Sequence, residues 1–319
     1  METRKIVKSG NTSFTLALPI QWIRKNHLDK GSSVSIGEND YGDLLISSEN
    51  RVINAKEEMI TIKVDGKDND AVGLEFLIAY IRDYPTIILE GKELRSKITF
   101  ILNRVKSYIG VDVIDQSINA LIVKNFFTLD RETAPHVIAK KIGLVNHAIF
   151  DILQSFFTRG LTKDDLGEII RLKEQNERLF NLVKKSTLKI IEDPSLLKIV
   201  QTDSLQVVKD RINALSLRNI SSDLTDIGSA FLLLENTKKE VTPYRAMFEA
   251  VSSNYKELIK MITSKDSAQV MQFIKKSSSE IAHWRRSAKE YEDPLFVECV
   301  QLTLSVSLMI EDVAYQIIE

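Results

Sequence analysis

Along residues 13–20, Phe14, Leu16, Leu18 and Ile20 alternate with Ser13, Thr15 and Ala17 before Pro19 stops the ladder. A period of two with one apolar face predicts a half-buried strand. Residues 20–27 fit one or two helical turns, Gly31 returns the chain to extended form, and "GENDYGD" (37–43) reads as a hairpin turn. So short a strand-built segment cannot close a core alone and needs oligomerisation or another staple. Residues 1–48 are therefore expected to dimerise.

The period then changes. Residues 57–127 alternate: strand "MITIKV", helix 71–84, strand "TIILEG", helix 93–109, and strands "VDVIDQ" and "ALIVKNFF". That β-α-β-α-β-β order predicts a small α+β layer. From about residue 130 everything is helical. Ile138, Ile142, Val145, Ile149, Ile152 and Phe156 step by four and three, the seam of a packed bundle helix. Asp130, the Thr162/Asp165 pair and Thr242 before Pro243 mark helix starts. Six long helices are expected: 131–158, 163–192, 203–235, 243–263, 266–290 and 294–319. "KEQNE" (173–177) parallels "KSSSE" (276–280), both helices end in "EDP" (192–194 and 292–294), and "DIGSAFLL" (226–233) parallels "DVAYQIIE" (312–319). Such ordered self-similarity predicts two tandem three-helix bundles, 130–238 and 242–319.

Charge sharpens the picture at the beginning of the chain. The whole sequence of 319 residues has a formal net charge of −1, so any polyanion-binding surface must be local. Residues 1–30 carry Arg4, Lys5, Lys8, Arg24, Lys25 and Lys30 against Glu2 and Asp29, a balance of +4; residues 31–50 carry four acids and no Lys or Arg. The single cysteine, Cys299, excludes an intramolecular disulfide, and the four histidines lack zinc spacing. The N-terminus is polar, and the apolar stretch Leu295–Ile318 carries Glu298, Glu311 and Asp312; a buried helix and a cytoplasmic protein are expected.

Candidate chemistry is sparse. On the third bundle helix Val208, Ile212 and Leu215 begin a heptad seam that continues as Ser222, Asp226, Ser229 and Leu233; on the sixth, Asp312 interrupts an apolar stretch. An acid on a packing face must be paired, hydrogen-bonded or bound to a cation. Glu177 and Glu280 on the preceding helices could add oxygens to a weak Mg²⁺, Mn²⁺ or iron site. A salt bridge, or an exposed groove with small serines, explains the same pattern without metal. His147 and Asp151, one turn apart, read as a metal pair or a solvated pair, and His283-Trp284-Arg285-Arg286 as an anion site or a solvated basic face. No phosphate-cradling loop or nucleophile motif occurs, so the chain is not expected to be an enzyme and needs no cofactor.

Lys8, Gly10, Leu18-Pro19, Leu28, Gly31, Val34 and Ile36 resemble the SpoVT/AbrB family of swapped-hairpin DNA-binding domains. The resemblance implies two protomers interleaved into one small all-β barrel whose basic surface contacts DNA, with Lys5, Lys8, Arg24 and Lys25 on phosphates and Asn11, at a loop tip, near a base edge. "IGVDVIDQS" (109–117), "NERLFNLVKKSTLKIIEDPSL" (176–196) and the Asp226 and Asp312 helices resemble PhoU, the phosphate-uptake regulator family, in the archaeal form with an AbrB-like N-terminus. In many members an E-x-x-x-D motif on the third helix of each bundle binds metal; here Ser222 and Leu308 stand at the glutamate positions. The resemblance implies a homodimeric or larger regulator of phosphate uptake acting through promoter DNA. The alternative is action through a transporter or sensor protein, with the N-terminal segment merely dimerising.

Overall fold

A computed structural model describes residues 3–38, 42, 44–48, 59–237, 242–264, 266–288 and 293–318. The expected turn at 37–43 lies partly outside these residues, as do the ends of the expected fifth and sixth helices at 289–290 and 319 and the second "EDP" echo at 292. The chain divides into two compact units, Met1–Glu58 and Met59–Glu319, a multidomain α+β layout.

The first unit contains two antiparallel hairpins and one short helix. Strands β1 (Ile6–Ser9) and β2 (Ser13–Leu16) pair with Ile6 opposite Leu16 and Lys8 opposite Phe14. Gly10 makes the turn at φ +81°, a conformation that disfavours any side chain. Helix α1 (Ile20–Lys25) follows Pro19, and Arg24 and Lys25 occupy its last turn, where cations suit the helix dipole. Strands β3 (Val34–Glu38) and β4 (Leu44–Ser48) form the second hairpin, with Ile36 opposite Ile46.

The second unit begins with β5 (Met59–Lys63), α2 (Asn69–Ile81), β6 (Thr86–Glu90), α3 (Leu94–Lys106), β7 (Val111–Gln116) and β8 (Ala120–Asn125). The sheet order is β5-β6-β8-β7; β5 and β6 are parallel, and β8 runs antiparallel to both its neighbours. Ile87 and Leu89 on β6 meet the helices alongside Leu121 and Val123 on β8, all fully buried. Helix α2 starts two residues before the sequence expectation because Asp68 caps it, its Oδ1 accepting from Ala71 N at 2.7 Å.

Helices α4 (Pro135–Gln154), α5 (Phe156–Arg159), α6 (Lys163–Glu192), α7 (Leu197–Val200), α8 (Ser204–Thr237), α9 (Thr242–Ser264), α10 (Ser267–Ser287) and α11 (Pro294–Ile318) complete the unit. The first differs from the expected 131–158. Asp130 heads a turn instead, its carboxylate accepting from Glu132 N and Thr133 N, and Pro135 opens the helix at its first position. At α6 the capping box is formed: Asp165 N donates to Thr162 Oγ1, and Thr162 N to Asp165 Oδ2. Two expected three-helix sets are recognisable, α4/α6/α8 and α9/α10/α11, but they do not have separate cores. Leu217, Leu224, Ile227 and Phe231 on α8 and Val306, Ile310 and Val313 on α11 belong to one hydrophobic cluster spanning both sets. The reason is that α8 and α11 are apolar on more than one side, so each also packs against the other.

Polar groups fix the register inside that core. Asn146 Nδ2 donates to Leu217 O at 2.7 Å, and Asn176 Nδ2 to Asn146 Oδ1 at 2.7 Å, tying α4, α6 and α8 together. Helix α11 is long and apolar enough to cross a membrane by length and composition. Here it buries Phe296, Cys299, Thr303, Val306, Ile310 and Val313, and the Tyr244 and Thr303 hydroxyls meet at 2.5 Å.

A buried ion pair joins the α+β layer to the helices. Lys185 on α6 is fully buried, with Nζ 3.1 Å from Asp83 Oδ1 and 2.8 Å from Asn125 Oδ1, over the rings of Tyr80 and Phe127 at 4.3 and 4.8 Å. Lys189 reaches Asp83 Oδ2 at 2.6 Å, and Asn125 Nδ2 donates to Asp83 Oδ1 at 2.7 Å. Burial pushes the Asp83 carboxyl up, but the Lys189 hydrogen bond, the Lys185 charge and the Asn125 hydrogen bond outweigh it and leave it below its ordinary value. Asp83→Ala should cost about 3–5 kcal/mol in urea unfolding, because it strands a buried ammonium, whereas Lys185→Met should cost less. A depressed carboxyl adds stability above its unfolded-state value. That contribution should therefore disappear as pH falls through the lowered folded value, and the acid limb of the stability profile should flatten in Asp83→Ala.

Candidate nucleic-acid interface and the bundle acids

Each hairpin of the first unit has one apolar face, because cross-strand partners point the same way. Ile6, Phe14 and Leu16 share the first; Val34, Ile36, Leu44 and Ile46 share the second. The two sheets are not joined by strand pairing. Phe14 is 68% exposed and Ile36 63%, and among the described residues of this unit only Leu28 and Ser48 are buried. A two-stranded hairpin in water is marginal at best, so these faces need a cover.

The five residues expected at DNA are all exposed. Asn11 stands at the tip of the β1–β2 turn beside Gly10, and Arg24 and Lys25 project from the end of α1. Lys5 precedes β1. Lys8 is directly across from Phe14, so it shares the apolar face at the end nearest the turn. None of Lys5, Lys8, Arg24 and Lys25 has an acidic partner among the described residues. The unit therefore combines an uncovered apolar surface with free cations and a protruding amide, a chemistry suited to self-association and phosphate contact.

No family model, curated protein or solved structure matches the chain.

The bundle acids lie elsewhere than the sequence reading placed them. Asp226 and Asp312 were expected on packing faces; both are exposed, as is Leu308, and Ser222 is half-buried. Helix α8 instead turns Ala214, Leu217, Ile220, Leu224, Ile227 and Phe231 inward, which rotates the Val208-Ile212-Leu215 seam outward. A chain with apolar residues on several helix faces allows two heptad readings, and the helices packed around α8 select one. The better-covered acid is Asp223: burial pushes its carboxyl up, the Ser305 hydroxyl draws it down, and the Asp226 charge raises it again. Glu177 forms an ion pair with Arg218, and Glu280 accepts from Asn254 Nδ2 at 2.6 Å. Arg218 and Asp226 are eight residues apart on one helix, about 12 Å along its axis. Glu177 and Glu280 are thus each held by a neighbouring side chain, while Asp226 and Asp312 stand at exposed positions. No set of three or more His, Cys, Asp or Glu side chains suited to a metal occurs among the described residues. His147 Nδ1 faces Asp151 Oδ2 at 3.2 Å, and Lys256 holds the other oxygen at 3.0 Å, so this pair belongs to a surface polar cluster. His283, Arg285 and Arg286 are exposed while Trp284 packs toward the core, as a solvated basic face would be.

Two groupings are not anticipated by the sequence reading. Asp83, Asn125, Lys185 and Lys189 come from three distant segments. A cavity of about 330 Å³ gathers His136 and Lys140 of α4 with Lys209, Asp210 and Asn213 of α8. The i, i+4 spacing of His136 and Lys140 was a visible hint.

If a second copy covers the hairpins, the intact protein should sediment as a dimer or larger at micromolar concentration. The Phe14→Asp/Ile36→Asp variant should shift toward monomer while its helical far-UV signal stays within about 10% of the parent's, since the second unit is a separate compact body.

Proposed function

We propose that this protein is a DNA-binding regulator of phosphate uptake that works in the cytoplasm as a homodimer or larger assembly. The observation that carries the reading is the first unit: two hairpins with uncovered apolar faces, carrying exposed Lys5, Lys8, Arg24 and Lys25 with Asn11 at a turn tip. Pairing two copies covers the apolar faces and doubles a cation set too small for tight binding alone. The phosphate part of the reading rests on the resemblance of the later chain to PhoU. The AbrB-like swapped barrel is likewise the finer form of the hairpin arrangement that we propose.

A second reading has an observation of its own. Leu205, Val208, Ile212 and Leu215 form an exposed stripe at heptad spacing on α8. Such a stripe suits a protein partner, and favours regulation through a phosphate transporter or sensor. The exposed Asp226 and Asp312 leave a weak Mg²⁺, Mn²⁺ or iron site as a proposal only where a partner supplies further oxygens.

Fluorescence anisotropy on promoter fragments at several salt concentrations tests the DNA reading. Affinity should fall with salt at a log–log slope of roughly −0.9 per phosphate neutralised. Arg24→Ala/Lys25→Ala should weaken binding to every sequence and flatten the slope by about one unit per lost contact and protomer. Asn11→Ala should blur discrimination between sequences with little change of slope. Lys8→Ala is a less clean probe because Lys8 shares a face with Phe14. Unchanged binding in the Arg24/Lys25 variant would move the DNA surface elsewhere. Co-purification of transporter subunits without promoter occupancy would favour the second reading.

A further inference from the structure

We propose that the cavity between α4, α8, α9 and α11 is a binding site for a nucleoside monophosphate. It encloses about 330 Å³, within the range of small-molecule sites and large enough for a ligand of that size. It also lies where the two helix sets meet: α4 and α8 supply one wall, Ile262 and Ile317 near the ends of α9 and α11 the other.

Its chemistry is specific in three ways. Lys140 and Lys209 line it without an acidic partner among the described residues, and His136 stands one turn before Lys140. Two ammonium groups beside an imidazole balance a dianionic phosphoryl group better than a single carboxylate. Next, Asp210 is 4% exposed and oriented by Gln206, whose Nε2 donates to Asp210 Oδ1 at 2.7 Å. A carboxyl group on the cavity wall can hydrogen-bond a ribose hydroxyl, which both donates and accepts, in either protonation state. Lastly, Asn213 Oδ1 is buried with no hydrogen-bond partner, and Leu217, Ile262 and Ile317 form an apolar wall. An unmet acceptor beside an apolar wall suits the exocyclic amine and face of a nucleobase. A bare inorganic anion would satisfy only the cations.

Because the ligand touches both helix sets, occupancy would change how α4 and α8 sit against the ends of α9 and α11. This gives the helical unit an effector site whatever the first unit binds.

Isothermal titration calorimetry of the full-length protein with AMP, CMP, GMP, UMP, adenosine and inorganic phosphate, each separately, tests the proposal. At least one monophosphate should bind once per chain. Adenosine and inorganic phosphate should each be at least about tenfold weaker, the loss of one charge-assisted contact or of the base contacts. Lys140→Ala/Lys209→Ala should weaken the monophosphate about tenfold or more; Lys140 is exposed, and an unchanged thermal midpoint would show that the variant is folded. Asn213→Leu should alter the preference among bases while leaving inorganic phosphate binding unchanged. No monophosphate binding at millimolar concentration, equal binding by inorganic phosphate, or full binding by the folded lysine variant would each overturn the assignment. DNA binding, measured without nucleotide, reads the regulator proposal separately.

Discussion

The ammonium of Lys185 is fully buried, and the second unit is arranged around neutralising it. A lone charge in that position would be strongly unfavourable, so the chain must bring an acid, hydrogen-bond acceptors and ring faces to it. Asp83 comes from the turn after α2, in a left-handed conformation at φ 58°. Asn125 comes from the end of β8, where its Oδ1 also accepts from Phe127 N at 3.0 Å. Tyr80 stacks on Tyr108 at 4.7 Å and its hydroxyl donates a hydrogen bond to Ile109 O, which orients the ring beneath the ammonium. Burial raises the Tyr80 phenol well above its ordinary value, so the ring stays neutral. These contacts are met only when the α+β layer sits against α6. Sheet and bundle are thereby joined into one compact unit rather than linked as separate domains.

The first unit lies under the opposite constraint. It has strand pairing and turn chemistry of its own but almost nothing buried, because two four- and five-residue hairpins cannot surround their own apolar faces. Stability there has to come from another surface, and a second copy presents the same apolar faces with the same cations beside them. In the function we propose, dimerisation and polyanion contact would be one property, since covering the apolar faces would set two cation groups at a fixed separation. The helical unit, by contrast, has a large buried core of its own.

Local signals were legible where the physics is local. The alternation of residues 13–18, the β-α-β-α-β-β order, the Thr162/Asp165 capping box and the order of the long helices all depend on neighbours within a few positions. Asp130 misled for the same reason: its side chain satisfies backbone N–H groups equally well in a turn, and Pro135 sets the helix start. Among the functional candidates, exposed charge on the first unit was readable because nothing in so short a segment could bury it.

What the sequence by itself determined was therefore the type and order of the elements, the charge imbalance of the first thirty residues and the need of the hairpins for a cover. Only the tertiary structure decided which face of α8 is the core face, and with it the exposure of Asp226. It also decided that the two helix sets share one cluster, that Lys185 meets Asp83, and that His136, Lys140, Lys209, Asp210 and Asn213 line one cavity. The reason is the range of the forces involved. Periodicity and capping act over one or two turns, whereas burial of an amphipathic helix with several apolar faces depends on which partners arrive, a choice made between segments a hundred residues apart.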